Sequence, residues 1–139
     1  MTPIDKVLYT GRSRTTGGRD GAAQSEDGRL AVALARPGSA APGTNPEQLF
    51  AAGWSACFIG AMGRAAAGMN VKVPADVAVR AEVDLGTDAD GGFLLRARLT
   101  VELPGLPRDT AQALADAAHQ LCPYSKATRG NIDVSIQVA

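Results

Sequence analysis

From Leu49 to Met62 the chain reads LFAAGWSACFIGAM, a stretch apolar on nearly every face of a helix. A helix apolar all round must be covered all round, so it belongs at the centre of a fold rather than on its surface. Its start is well marked. Asn45 is suited to cap, Pro46 to take the first helical position, and Gln48 to complete a capping-box-like pattern. The pattern predicts a helix running to about Ala67 and stopping at Gly68. Gly53, Gly60 and Gly63 lower its intrinsic stability, and close approach of another backbone is the expected return. The uncharged run Gln48 to Gly63 spans 16 residues. That is short for a membrane span, so a buried core helix is the better reading.

At 139 residues the chain has the length of a single domain, residues 1–139. Lys plus Arg and Asp plus Glu both number 14, so formal net charge is zero. Nucleic acids and anionic membranes call for a basic excess, and neither is an expected partner. Apolar residues make up 45%, which excludes a disordered chain, and aromatics only 4%, so small side chains must fill much of the core. The start, MTPIDKVLYTG, lacks a basic stretch followed by an apolar one, and a cytoplasmic location is expected. Two cysteines, Cys57 and Cys122, stand 65 positions apart. In a reducing cytosol a purely structural disulfide is disfavoured. Two inert buried thiols remain an alternative to a reactive pair.

Elsewhere the apolar pattern is readable. Residues 5–10 suggest a first strand, 11–28 a glycine-rich loop or distorted strand edge, and 29–35 a second strand. Val77, Val79, Ala81, Val83 and Leu85 alternate with polar neighbours. After a turn at Gly86–Gly92 so do Phe93, Leu95, Ala97, Leu99, Val101 and Leu103. Such alternation with one wet face indicates antiparallel pairing. Arg80, Arg96 and Arg98 fall on that wet face among equal numbers of acids. Asp109 to Leu121 reads as an amphipathic helix. Pro123 disfavours helical geometry at Cys122, placing that thiol at a helix end. Ile132, Val134, Ile136 and Val138 alternate in a last strand.

Burial in the central helix raises a thiol pKa and makes Cys57 inert unless a cation is brought to it. Its own helix offers none nearer than Arg64, two turns away. Arg19, in a glycine-flanked segment, is the candidate guest, and Glu47 is a lone carboxylate suited to hold a guanidinium in a bidentate pair. The plain alternatives are a solvated loop arginine and a favourable charge at a helix N-terminus. His119, Cys122 and Cys57 supply only three ligands and no CxxC pair, so no metal is expected. His119 is read as packing with a hydrogen bond, and Asp20 and Arg129 as solvated charges by default. Tyr124 is expected beside the second thiol.

The segments Thr16-Gly17-Gly18-Arg19-Asp20-Gly21, Asn45 to Gly53, Ser55-Ala56-Cys57-Phe58, Cys122-Pro123-Tyr124-Ser125 and Ala127 to Asn131 resemble, in order, those of the organic hydroperoxide resistance proteins. Those proteins belong to a wider family that also holds the osmotically inducible peroxidases. Trp54 stands where tyrosine is expected and Lys126 where asparagine is common. The resemblance implies an α+β fold: an interwound homodimer with antiparallel sheets wrapped around central helices. It implies a thiol peroxidase, with Cys57 as peroxidatic thiolate, Cys122 as resolving thiol, Arg19 stabilising the thiolate and Glu47 holding Arg19. It implies no bound cofactor and a lipoyl-carrying protein as external reductant.

Ten residues separate Glu47 from Cys57, about 15 Å along one helix and about 80° around it. An Arg19–Glu47 pair beside Cys57 is therefore expected from a second chain, giving composite sites in a two-fold dimer. A non-enzymatic redox sensor and an apolar-ligand carrier are the competing functions.

Overall fold

Helix α1 spans Pro46–Met69 in a computed structural model that describes all 139 residues. It overruns Gly68 and ends where Asn70 adopts a left-handed φ of 55°. The Val71 N–H then returns to the Ala66 carbonyl at 3.0 Å. Asparagine can supply the left-handed residue of a helix end, so the stop lies two positions beyond the expected glycine. The helix has 24 residues and is long and apolar enough to cross a bilayer, but one face of it belongs to a protein core. Trp54, Phe58 and Met62 are fully buried there, joined by Ala61, Ala65 and Ala66.

The chain divides into two compact units, Met1–Pro46 and Glu47–Ala139. The first is a small antiparallel meander of β1 (Ser13–Thr16), β2 (Ala22–Ser25) and β3 (Ala31–Ala33), in that order. Three readings change here. Residues 5–10 form no strand: they pair with neither outer strand of the meander, and Val7, Leu8 and Tyr9 are exposed. The glycine-rich run 11–28 instead supplies two strands joined by a 3-10 turn, Gly18–Asp20. The expected strand at 29–35 shortens to β3, with Leu34 bridging Thr44.

The second unit places α1 against a three-stranded sheet, β4 (Ala78–Thr87), β5 (Phe93–Glu102) and β6 (Asp133–Val138), and against helix α2 (Arg108–Leu121). Ala97, Leu99 and Val101 of β5 and Leu114, Ala115 and Ala118 of α2 share the core with the α1 face. Strands β4 and β5 are antiparallel, as their alternation predicts. Strand β6 is parallel to β5, which corrects the expectation of purely antiparallel sheets. The helical crossover through α2 and the short α3 (Pro123–Thr128) provides the connection a parallel pair requires. Leu85 and Phe93, expected to face in, are exposed at the hairpin end of the sheet.

On the wet face, Asp84 accepts from Arg96 Nε at 2.8 Å and from Arg98 Nη1 at 2.7 Å, while Arg80 meets Glu102 at 3.2 Å. The two guanidiniums hold the Asp84 carboxyl well below its ordinary pKa. The opposite face of α1 is different. Ala52, Ala56, Gly60, Gly63 and Ala67 are exposed, and nothing lies within 4 Å of where a Cβ on Gly60 or Gly63 would stand. Cover on every side is therefore not met within this chain.

Candidate active site

Cys57 projects from the middle of α1, half-buried, and Cys122 is fully buried at the α2–α3 junction. The expected break at Cys122 is present: its φ of −62° and ψ of 122° are extended, between two helices. The junction brings the sulfurs together. The Cys122 thiol donates to Cys57 Sγ across 3.1 Å, and both cysteines are free. Burial, the leading influence, pushes the Cys57 thiol pKa up; the Tyr124 backbone N–H bonded to it pulls the pKa down, and Cys122 pushes it up again. These neighbours leave a thiolate at Cys57 in need of further positive charge.

The surroundings include contacts that sequence reasoning did not find. Trp54 Nε1 donates to Ser125 Oγ at 3.2 Å, with both residues fully buried. A buried indole N–H needs a partner, which is the one signal the sequence offered. The Phe50 ring sits 5.5 Å from Trp54 and 6.1 Å from Tyr124. Tyr124 also packs on Gly53, where a Cβ would lie 3.4 Å from the phenol oxygen, at the edge of ordinary contact. A side chain, not a backbone, is what approaches this glycine. His119 departs from expectation: its Nδ1 is buried without a hydrogen-bond partner, and its backbone carbonyl accepts from Arg129. Burial and Arg129 lower its pKa, with Asp116 opposing.

Arg19 lies in the 3-10 turn of the first unit and is half-buried, whereas the residues before it are exposed. The glycines around it close that turn tightly. Gly17 takes a φ of 71°, and a Cβ on Gly21 would stand 1.8 Å from the Thr16 carbonyl oxygen. Asp20 pairs with Arg36 at 2.8 Å. Glu47 is half-buried in the first turn of α1. The unbroken helix keeps it ten residues, about 15 Å of rise, from Cys57. Of the four candidate residues, then, the second unit brings Cys57 and Cys122 into contact.

Two free thiols 3.1 Å apart, one of them on a half-exposed residue, have a geometry from which a disulfide can form. Residues 37–137 match the family described as OsmC-like protein. The chain belongs to the OsmC-like family. Within it, the organic hydroperoxide resistance protein of Xanthomonas axonopodis pv. citri (strain 306) is 48% identical over 143 residues, covering 100% of both chains. The organic hydroperoxide resistance protein OhrB of Bacillus subtilis (strain 168) is 44% identical over 136 residues, 95% of this chain and 98% of that one. The crystal structure of OhrB superposes with a TM-score of 0.89, covering 96% of this chain and 100% of that chain. An organic hydroperoxide resistance protein from Elizabethkingia anophelis, 41% identical, superposes at 0.87 over 96% of this chain and 98% of its own. The mixed α+β fold with two sheets is that of these OsmC-like proteins, and organic hydroperoxide resistance, an oxidative stress response, is the functional class they share.

Proposed function

We propose that this OsmC-like protein is a cysteine-based peroxidase that reduces alkyl or fatty-acyl hydroperoxides to alcohols. The contact of two unbonded sulfurs at 3.1 Å carries the reading. In the first step the Cys57 thiolate attacks the outer peroxide oxygen. The O–O bond breaks, the alkoxide leaves and takes a proton, and Cys57 becomes a sulfenic acid. The half-burial of Cys57 and full burial of Cys122 favour this order, because the accessible sulfur meets the oxidant. Cys122 then attacks the sulfenic sulfur. The S–O bond breaks, a disulfide forms, and water leaves. An external dithiol, of the lipoyl type on a carrier protein, reduces the disulfide by exchange.

Arg19 and Glu47 complete the proposed site. Burial works against a Cys57 thiolate, so a guanidinium is assigned to offset it and to stabilise the leaving alkoxide in a dry site. Glu47 holds that guanidinium. The length of α1 between Glu47 and Cys57 favours donation of this pair by a second copy. The exposed apolar face through Ala52, Ala56 and Gly60 supports a homodimer, since such a face is costly to leave in water. The apolar surroundings, with Phe50 and Phe58, favour organic over hydrogen peroxide. The proposed setting is the cytoplasm, without nucleic-acid or membrane partners or a bound cofactor.

Turnover is the test. The protein is incubated with cumene hydroperoxide and dihydrolipoamide, and peroxide loss is followed in wild type and Cys57→Ser. Many turnovers in wild type and none in Cys57→Ser support the enzyme. Oxidation of one equivalent without turnover points to a sensor, and no thiol loss to a carrier; either overturns the proposal.

A further inference from the structure

The Trp54–Ser125 hydrogen bond runs alongside the sulfur pair. Trp54 lies three residues before Cys57 on α1, and Ser125 lies three residues after Cys122. The two cross-contacts therefore link the same two segments, about one helical turn apart, at 3.2 Å and 3.1 Å. Between Cys122 and Ser125 the chain passes from an extended residue into α3, whose Thr128 hydroxyl bonds back to the Tyr124 carbonyl at 2.9 Å. On the other side the Cys122 N–H is held by the Ala118 carbonyl at 2.8 Å, within the core. Cys122 is thus a joint with both flanks tied, and on the α3 side the side-chain hydrogen bond that reaches α1 is Trp54–Ser125, beside the Phe50–Tyr124 ring contact.

We propose that Trp54 and Ser125 are positioning residues that hold Cys122 at Cys57 for disulfide closure. This rests on the reading that those two thiols form the disulfide. The closing step is condensation of the Cys57 sulfenic acid with the Cys122 thiol: the S–S bond forms, the S–O bond breaks, and the thiol proton leaves with the hydroxyl as water. The sulfurs need to approach by only about 1 Å to reach disulfide length. A competing step is attack of the sulfenic acid on a second hydroperoxide, which yields an alcohol and a sulfinic acid. A brace one turn away raises the local concentration of Cys122 and so favours closure over that loss. The fully buried indole also leaves its N–H without water as a substitute partner, which makes the bond directional and hard to exchange.

The experiment uses Ser125→Ala, Trp54→Phe and the double variant. Each protein is titrated in dithiothreitol redox buffers for the Cys57–Cys122 equilibrium, and the sulfinic fraction after cumene hydroperoxide is read by mass spectrometry. Each single variant is expected to weaken the disulfide roughly tenfold, which is about 30 mV less negative in potential. The sulfinic fraction rises with it. The double variant is expected to shift no further than either single, because all three lack the same bond. A purely structural role moves the thermal midpoint but not the potential. If wild type forms the disulfide while Ser125→Ala and Trp54→Phe both keep its equilibrium and sulfinic fraction, the brace is overturned. If wild type forms no Cys57–Cys122 disulfide with peroxide, the functional reading falls and takes the brace with it.

Discussion

Cys57 and Cys122 are 65 positions apart in the chain and 3.1 Å apart in space, one half-exposed and the other fully buried. Contact follows from two ordinary features. Helix α1 packs its Trp54 and Phe58 face into the second unit's core, and the proline after Cys122 ends α2 there in an extended residue.

Cys122→Ser should consume one hydroperoxide per site and then over-oxidise, because the sulfenic acid has lost its resolving partner. Mass spectrometry of Cys57 should show the sulfinic acid accumulating with each further equivalent. Full dithiol-dependent turnover in this variant would remove Cys122 from the cycle.

Arg19→Ala should raise the pH at which Cys57 ionises, since burial is then opposed by the Tyr124 N–H alone among the neighbours described for it. Thiolate absorbance in the ultraviolet, followed against pH, reads the change. Peroxide consumption at neutral pH should drop by up to about tenfold for each ~1.4 kcal/mol lost from the thiolate, while folding changes little. Glu47→Gln should act in the same direction and more weakly.

His119 makes stability sensitive to acid. Its folded pKa lies below the ordinary 6.5, so the unfolded chain takes up the proton first as pH falls. Unfolded protein then binds more protons than native, and native stability declines through 6.5 and below. Urea unfolding at neutral and mildly acidic pH should show this loss in wild type and less of it in His119→Gln.

Gly60→Leu tests the second copy. No other part of this chain lies within 4 Å of where the new Cβ would stand, and a leucine in place of a helical glycine adds up to about 1 kcal/mol of helix propensity. The folded chain should therefore tolerate it, while close packing of another copy on that face should not. Sedimentation should give a dimer for wild type and a monomer for Gly60→Leu, with peroxidase turnover lost alongside.

Much of this architecture could be read from periodicity. Helix α2 and strands β4, β5 and β6 announce themselves because each buries one face only, and the pattern of apolar residues is then local. The start of α1 was legible in Pro46, but its end was not, because Asn70 rather than Gly68 supplies the left-handed residue. The amino-terminal residues differ in another way: Val7, Leu8 and Tyr9 have strand chemistry yet pair with neither edge of the meander, and local pattern does not encode pairing. The direction of β6 depends on the crossover, which alternation does not encode. At the site, both cysteines were identifiable as chemistry. The Trp54–Ser125 bond was not, since its partners are 71 positions apart and meet only once α3 has been laid against α1.

The unequal burial of the two sulfurs also sorts encounters. Electrophiles and oxidants arriving from solvent find Cys57, while Cys122 sits behind it with no surface of its own. Between the two thiols, chemical injury from solvent therefore falls first on Cys57, and the second sulfur is kept in reserve.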